Sequence, residues 1–213
     1  MTPMRQPRRR TALSQRDIAR AALELIDADG LAAFSMRKLG ARLGTDPMTI
    51  YRRFEDQEDL FDEVAVEMFR GVPVEDLPWD AAWPDLLDAY GSALHDALLR
   101  HPNALPLYGT RPVRSQEATE WGVRMLLKMA DQGVPSPSAL QVALCVNEYV
   151  IGHTMARSAD LTASHRSRAP EPGSAGFNVL AAAVAKVQPD AHFRLGLRAL
   201  IDGLQRAVSP HGG

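Results

Sequence analysis

Apolar residues in this chain recur every three to four positions, the spacing of an amphipathic helix, and no stretch alternates with the period of two expected of a half-buried strand. The first run places Ile18, Ala22, Leu25 and Ile26 on one face and stops at Gly30. Its start is marked by Ser14 as cap, Asp17 at the third helical position to return the bond, and Leu13 against Ile18 as a hydrophobic staple. A second run repeats this grammar, with Ser35 after Phe34, Leu39 and Leu43 inward, and Gly44 as the stop. In a third, Asp46 caps and Pro47 takes the first helical position, where its missing N–H costs nothing, so that Ile50 and Phe54 face inward. A fourth helix is predicted over 57–70, closed by Gly71-Val72-Pro73, and longer ones over 83–101, 115–132, 138–159, 177–186 and 190–208. Residues 164–176, SHRSRAPEPGSAG, carry no apolar anchor and are predicted to be a mobile loop. The fold class is all-α: an N-terminal three-helix unit of helix-turn-helix type over residues 1–60 and a larger helical body over 61–213.

Charge sharpens this division. The 213 residues hold 24 Lys and Arg against 26 Asp and Glu, yet the first 54 hold 11 against 5 and the remainder 13 against 21. A basic quarter on an acidic body points to a polyanion met by that quarter alone. No apolar run approaches the ~18 residues of a membrane span. The basic N-terminus lacks the apolar stretch of a secretory signal, and a single cysteine, Cys145, rules out an internal disulfide framework; both fit a cytoplasmic protein.

The stretch GTDPMTIYRRFEDQEDLF, residues 44–61, concentrates this chemistry. With Ile50 and Phe54 inward, Met48, Thr49, Arg52 and Arg53 point outward and Tyr51 lies at the edge. Such a helix suits the major groove of double-stranded DNA. Arg52 or Arg53 can reach guanine O6 and N7, Met48 a thymine methyl, and the Thr49 and Tyr51 hydroxyls phosphate oxygens. Thr45 in the turn and Arg37 and Lys38 in the preceding helix lie over the backbone or groove edge. Arg8, Arg9 and Arg10, with Arg5, form an arm for phosphates or the minor groove.

The run SMRKLGARLGTDPMTIYRRF, residues 35–54, resembles the DNA-binding signature of the tetracycline-repressor (TetR) family of bacterial transcriptional regulators. The resemblance implies a base or backbone contact for Arg37 and phosphate contacts for Thr49 and Tyr51. The lysine that such regulators usually carry at the start of the fourth helix is Gln57 here, inside the acidic run Glu55 to Asp59. The likeness continues through Leu107-Tyr-Gly-Thr-Arg-Pro112 and 131–152 to the last helix, and so implies an effector site in the body and dimerisation through a four-helix interface. The residues that hold a magnesium–tetracycline complex in that subfamily fall on Leu107, Ala156 and Val72 or Pro73, and its polar drug anchors on Ala89 and on Val123 or Met125. None of these offers Mg²⁺ an oxygen or imidazole ligand, so that complex is excluded as effector and no metal or cofactor is expected.

What remains is an apolar lining for a largely hydrophobic small molecule: Leu94, Leu98, Leu105, Leu107, Val123, Met125 and Met129, with Tyr108, Thr110, Asn147 and Glu148 as polar fixtures. Glu148 stands out, because a buried carboxylate needs a partner or a cationic ligand. The last helix carries Phe193, Leu197, Leu200, Ile201 and Leu204 on one stripe, and Gly196 and Gly203 would permit close approach in a homodimer.

The six histidines show no metal-ligand spacing, no nucleophile or phosphate-loop motif is present, and Cys145 among Val142, Leu144 and Val146 reads as a small core residue, so the chain is not expected to be an enzyme. The reading is an effector-responsive repressor that binds a palindromic operator as a homodimer. Its rival, favoured by the acidic run 55–59, is a helical ligand-binding or interaction protein in which DNA binding is weak or lost.

Overall fold

The computed structural model describes residues 13–111, 113–162, 175–184, 186 and 190–208. The arginine arm (Arg8, Arg9, Arg10) and most of the 164–176 segment lie outside these residues. Among those described, ten α-helices and two short 3₁₀ turns account for the regular structure.

Local chemistry sets the first helices. Helix α1 (Gln15–Asp29) begins with a reciprocal cap, in which Asp17 N donates to Ser14 Oγ at 3.1 Å and Ser14 N to Asp17 Oδ2 at 3.2 Å. Ser35 caps α2 (Met36–Leu43), and Asp46 caps α3 (Pro47–Tyr51) by accepting from Met48 N at 2.8 Å. Only five residues of α3 are helical. Its end tightens as Arg53 N and Phe54 N both reach Ile50 O, at 2.8 and 3.2 Å. So short a helix is marginal alone, and packing holds it: Ile50 and Phe54 are buried.

Helix α4 (Gln57–Arg70) runs alongside α1 and supplies the floor of the head, with Leu60, Phe61, Val64 and Ala65 buried in the same cluster as Ile18, Ala22 and Ile26. The Phe34 and Phe61 rings meet at 5.1 Å. The partition at residue 60 thus runs through one continuous helix. At its far end, Arg70 joins Glu63, Glu67 and Glu117, and Arg100 donates to Gly71 O at 2.7 Å.

The body is built from α5 (Trp83–Leu99), α6 (Leu105–Thr110), α7 (Gln116–Asp131), α8 (Ser136–Thr162), α9 (Ala175–Val184) and α10 (Ala191–Val208). Leu86, Leu87, Leu94 and Leu98 of α5 form a core with Val142, Val146 and Val150 of α8 and Phe193, Leu197 and Ile201 of α10. Helix α6 was not legible in the pattern, because six residues are too few to display a period. No helix among the described residues is long and apolar enough to cross a membrane.

Several side chains stand elsewhere than the sequence suggests. Cys145 is exposed, because the inward face of α8 is set by Val142, Val146 and Val150 one position out of phase with it. Gly196 makes its close approach within the chain: a Cβ there would fall 2.2 Å from the Tyr149 hydroxyl oxygen, whereas at Gly203 it would meet nothing within 4 Å. Tyr149 fixes that contact by donating to Phe193 O at 3.0 Å.

Candidate nucleic-acid interface and effector cavity

The turn between α2 and α3 aims the third helix. Gly44 adopts φ +60, the left-handed conformation that glycine tolerates best. Gly40 lets the two helices close up, since a Cβ there would lie 3.0 Å from Thr45 O and 3.2 Å from the Pro47 ring. Gln15 Nε2 of α1 donates to Arg53 O at 2.7 Å and ties down the end of the turn.

With Ile50 and Phe54 buried, the outward face carries Met48 at 63% exposure and Tyr51 at 43%, flanked by exposed Arg52 and Arg53 and half-buried Thr45 and Thr49. Arg37, Arg52 and Arg53 have no ion pair with any described residue. Lys38 differs: its Nζ lies 3.1 Å from Asp29 Oδ2. A half-exposed pair of that kind is worth about 0–1 kcal/mol and yields readily to a phosphate.

The acidic run has local employment. Asp56 Oδ1 accepts from Asp59 N at 2.9 Å as the cap of α4, and Asp59 Oδ2 accepts from Glu55 N at 3.0 Å. Glu58 and Asp62 grip Arg111, at the end of α6: the guanidinium bonds the Glu58 carboxylate, and its Nη1 lies 2.7 Å from Asp62 Oδ1 and 3.3 Å from Glu58 O. The carboxylates of Asp56, Glu58 and Asp59 therefore serve α4 and its clasp to the body. Two further ties reach the head, with His101 Nδ1 2.7 Å from Asp27 Oδ2 and Asn103 Nδ2 donating to Asp27 O at 2.9 Å.

Arg111 also lines a partly open cavity of about 310 Å³ bordered by α4, α5, α6, α7 and α8. Its walls are aromatic. Tyr90 and Trp121 rings meet at 4.2 Å, tilted by 31°, Phe69 meets Trp121 edge-on at 6.2 Å, and Tyr108 lines the same space. The Tyr90 hydroxyl donates to Asn147 Oδ1 at 3.3 Å. Burial pushes the hydroxyl pKa of both Tyr90 and Tyr108 up, so both stay protonated.

Of the effector residues expected from sequence, Tyr108, Met125 and Asn147 line this cavity. Leu94, Leu98, Leu105, Leu107 and Met129 are buried in the surrounding core. Thr110 is exposed, its hydroxyl donating to Pro106 O at 2.7 Å. Val123 is 51% exposed and lines a separate shallow hollow beside Trp79, whose ring lies 3.7 Å beneath the Arg124 guanidinium. Glu148 is exposed as well, so the buried carboxylate that suggested a cationic ligand does not exist. Sequence reasoning missed Phe69, Tyr90, Arg111, Trp121 and Ile151. The signal was present on α7 and α8, where Ala118, Trp121, Gly122 and Met125, then Leu140, Ala143, Leu144, Asn147 and Ile151, follow helical spacing. Among the described residues no cluster of three His, Cys, Asp or Glu side chains is placed to hold a metal ion.

A capped helix-turn-helix head clasped to a helical body with an aromatic cavity defines a class: DNA-binding regulators with an effector site. Residues 18–64 match the family described as bacterial regulatory proteins of the tetR family, and residues 77–208 match the tetracyclin repressor-like C-terminal domain. The chain belongs to the TetR family of regulators, which are DNA-binding proteins and not enzymes. It is 34% identical over 158 residues to an HTH-type transcriptional regulator of Saccharopolyspora erythraea, a match covering 73% of this chain and 66% of that relative. It is 26% identical to the HTH-type transcriptional repressor DrrR1 of Streptomyces coeruleorubidus, over 99% of this chain and 83% of the other. The solved structure of TetR from Acinetobacter baumannii AYE superposes with a TM-score of 0.77 at 26% identity, covering 92% of this chain and 99% of that one.

Proposed function

We propose that this protein is a homodimeric transcriptional repressor that reads a palindromic operator through α3 and is released by a small aromatic molecule other than magnesium–tetracycline. The observation that carries the reading is the outward face of α3 and its end, where Arg52 and Arg53 stand exposed, without an ion pair among the described residues, beside Met48 and Tyr51. Arg37, Lys38, Thr45 and Thr49 flank that face and complete the footprint with the Arg8 to Arg10 arm. The name of the relative DrrR1, a transcriptional repressor, supports the direction of control.

Dimerisation is assigned to α8 and α10. Leu140 and Leu144, which also line the cavity, and Met155 on one and Leu195 on the other expose apolar surface, 72% in the case of Leu195. The effector works through α4, which meets the cavity at Phe69 and carries the clasp at Glu58 and Asp62. A coupling of about 1–3 kcal/mol would alter operator affinity by roughly 5–150-fold. The local bonds of the acidic run weaken the rival reading, since the Asp56, Glu58 and Asp59 carboxylates are engaged within the protein.

The test is footprinting and fluorescence anisotropy on the DNA flanking the protein's own gene, at two salt concentrations. Protection of a short palindrome is expected, weakening steeply with salt. Arg52→Ala with Arg53→Ala should remove about 1–3 kcal/mol per lost base contact. Operator affinity untouched by the double substitution would refute α3 as the reader.

A further inference from the structure

The cavity wall is unbalanced in its hydrogen-bonding groups. Asn147 Oδ1 already accepts from the Tyr90 hydroxyl at 3.3 Å. The capacity left over includes the Asn147 amide N–H groups, while Trp121 Nε1–H and Arg111 Nε–H belong to lining residues, lack an acceptor among the described residues and are closed to water, so that a ligand oxygen meets them only as those side chains shift. A buried donor left unpaired is costly, and a ligand oxygen that reaches it removes the cost. Charge points the same way. Of the residues that line the cavity only Arg111 is charged, and none is Asp or Glu. An amine entering here would lose water beside a guanidinium with no carboxylate to meet it, whereas an acid gains a charge-assisted partner.

Arg111 is also the residue that holds α4. Its partners there are easily left, because the Glu58 and Asp62 side chains are 65% and 56% exposed and water can take over their solvation. On the reading that this cavity is the effector site, we propose that the effector is a flat aromatic acid whose anionic oxygens draw the Arg111 guanidinium off Glu58 and Asp62. Recognition of the acid and release of the first turn of α4 then share one side chain, and a neutral aromatic of the same shape fills the cavity without opening the clasp. The aromatic walls of Tyr90, Trp121 and Phe69 select the ring system, and a volume of about 310 Å³ limits it to a few rings.

A matched probe pair tests this on the full chain: anilinonaphthalene sulfonate and phenylnaphthylamine, which share rings and differ by the sulfonate. Binding is read by probe fluorescence. The sulfonate should bind the wild type about tenfold more tightly than the neutral probe, about 1.4 kcal/mol by the usual conversion. Arg111→Gln should bring the two affinities together. Glu58→Gln with Asp62→Asn, which frees the guanidinium, should tighten the sulfonate several-fold and leave phenylnaphthylamine unchanged, a response that a merely structural Arg111 would not give. Gly122→Leu is the control for the site, since Gly122 lines the cavity and a Cβ there meets nothing within 4 Å. Its side chain should block both probes without unfolding the helix. Equal affinities for the two probes, both abolished by Gly122→Leu, would overturn the acid and leave the cavity standing. Unchanged binding of both in Gly122→Leu would overturn the cavity as effector site and the proposal with it.

Discussion

Replacing Gly40 by alanine asks how tightly α3 is held on α2. The new Cβ would stand 3.0 Å from Thr45 O and 3.2 Å from Cδ and Cγ of Pro47. All three atoms belong to the turn or the first residue of α3, and none is the free end of a flexible side chain. Relief therefore requires α3 to move outward by a few tenths of an ångström. Overpacking of this kind costs about 1–3 kcal/mol, and alanine in place of glycine inside a helix returns up to about 1 kcal/mol. The net loss of stability is then between zero and about 2 kcal/mol, which is up to about 8 °C in Tm at roughly 2–4 °C per kcal/mol for a chain of this size. DNA binding should suffer more, because the proposed dimer would apply the displacement at both half-sites. A loss of about 1 kcal/mol per half-site totals about 2 kcal/mol, close to 30-fold in Kd. Circular dichroism melts and operator anisotropy measure the two effects on one preparation. Wild-type operator affinity in a Gly40→Ala protein of unchanged Tm would refute the claim that this contact sets the reading head.

Acidification should destabilise the body at the junction of α5, α8 and α10. His95 stacks on Phe193 at 3.9 Å, His153 lies 5.4 Å from His95 and 4.7 Å from His192, and burial lowers the pKa of both His95 and His153, with His192 adding repulsion at the latter. Arg157 opposes protonation of both, and Asp190, with Asp96 at His95, favours it. A depressed folded-state value means that the unfolded chain binds more protons, so this contribution is complete above the ordinary pKa of about 6.5 and is lost as pH falls below it. Melts between about pH 7 and pH 5 should show Tm falling, with a shallower slope in His153→Gln, and an identical slope in that variant would contradict the assignment. Leu195→Asp should yield a folded monomer by sedimentation, because Leu195 is 72% exposed and costs its own core nothing; a persistent dimer would move the interface elsewhere.

The head was legible because its signals are local. Ser14, Ser35 and Asp46 each act on a group two or three residues away, Pro47 takes the first helical position, and the structure returns all four signals. The cavity was less so. Leu98 and Met125 are chemically alike, and only the convergence of five helices decides that one is core and the other wall. Arg111 was read in its motif yet not as a wall residue, since nothing near it in sequence announces Glu58 and Asp62. The local bonds of the acidic run were hidden for the same reason. By count it is four negative charges, yet Asp56 and Asp59 also bond backbone N–H groups at the start of α4, and Glu58 pairs with a guanidinium.

The continuity of α4 across the boundary bears on how this protein can be recombined. A head transplanted at residue 60 would arrive without Phe61, Val64 and Ala65, and the recipient would keep a helix whose inner surface was shaped for another α1. Chimaeras joined there should express poorly whatever operator they were meant to read. The portable unit ends at Gly71, and even that graft must carry a first turn able to answer the recipient's arginine. New operators are thus more easily acquired by changing the few outward side chains of α3 than by exchanging heads.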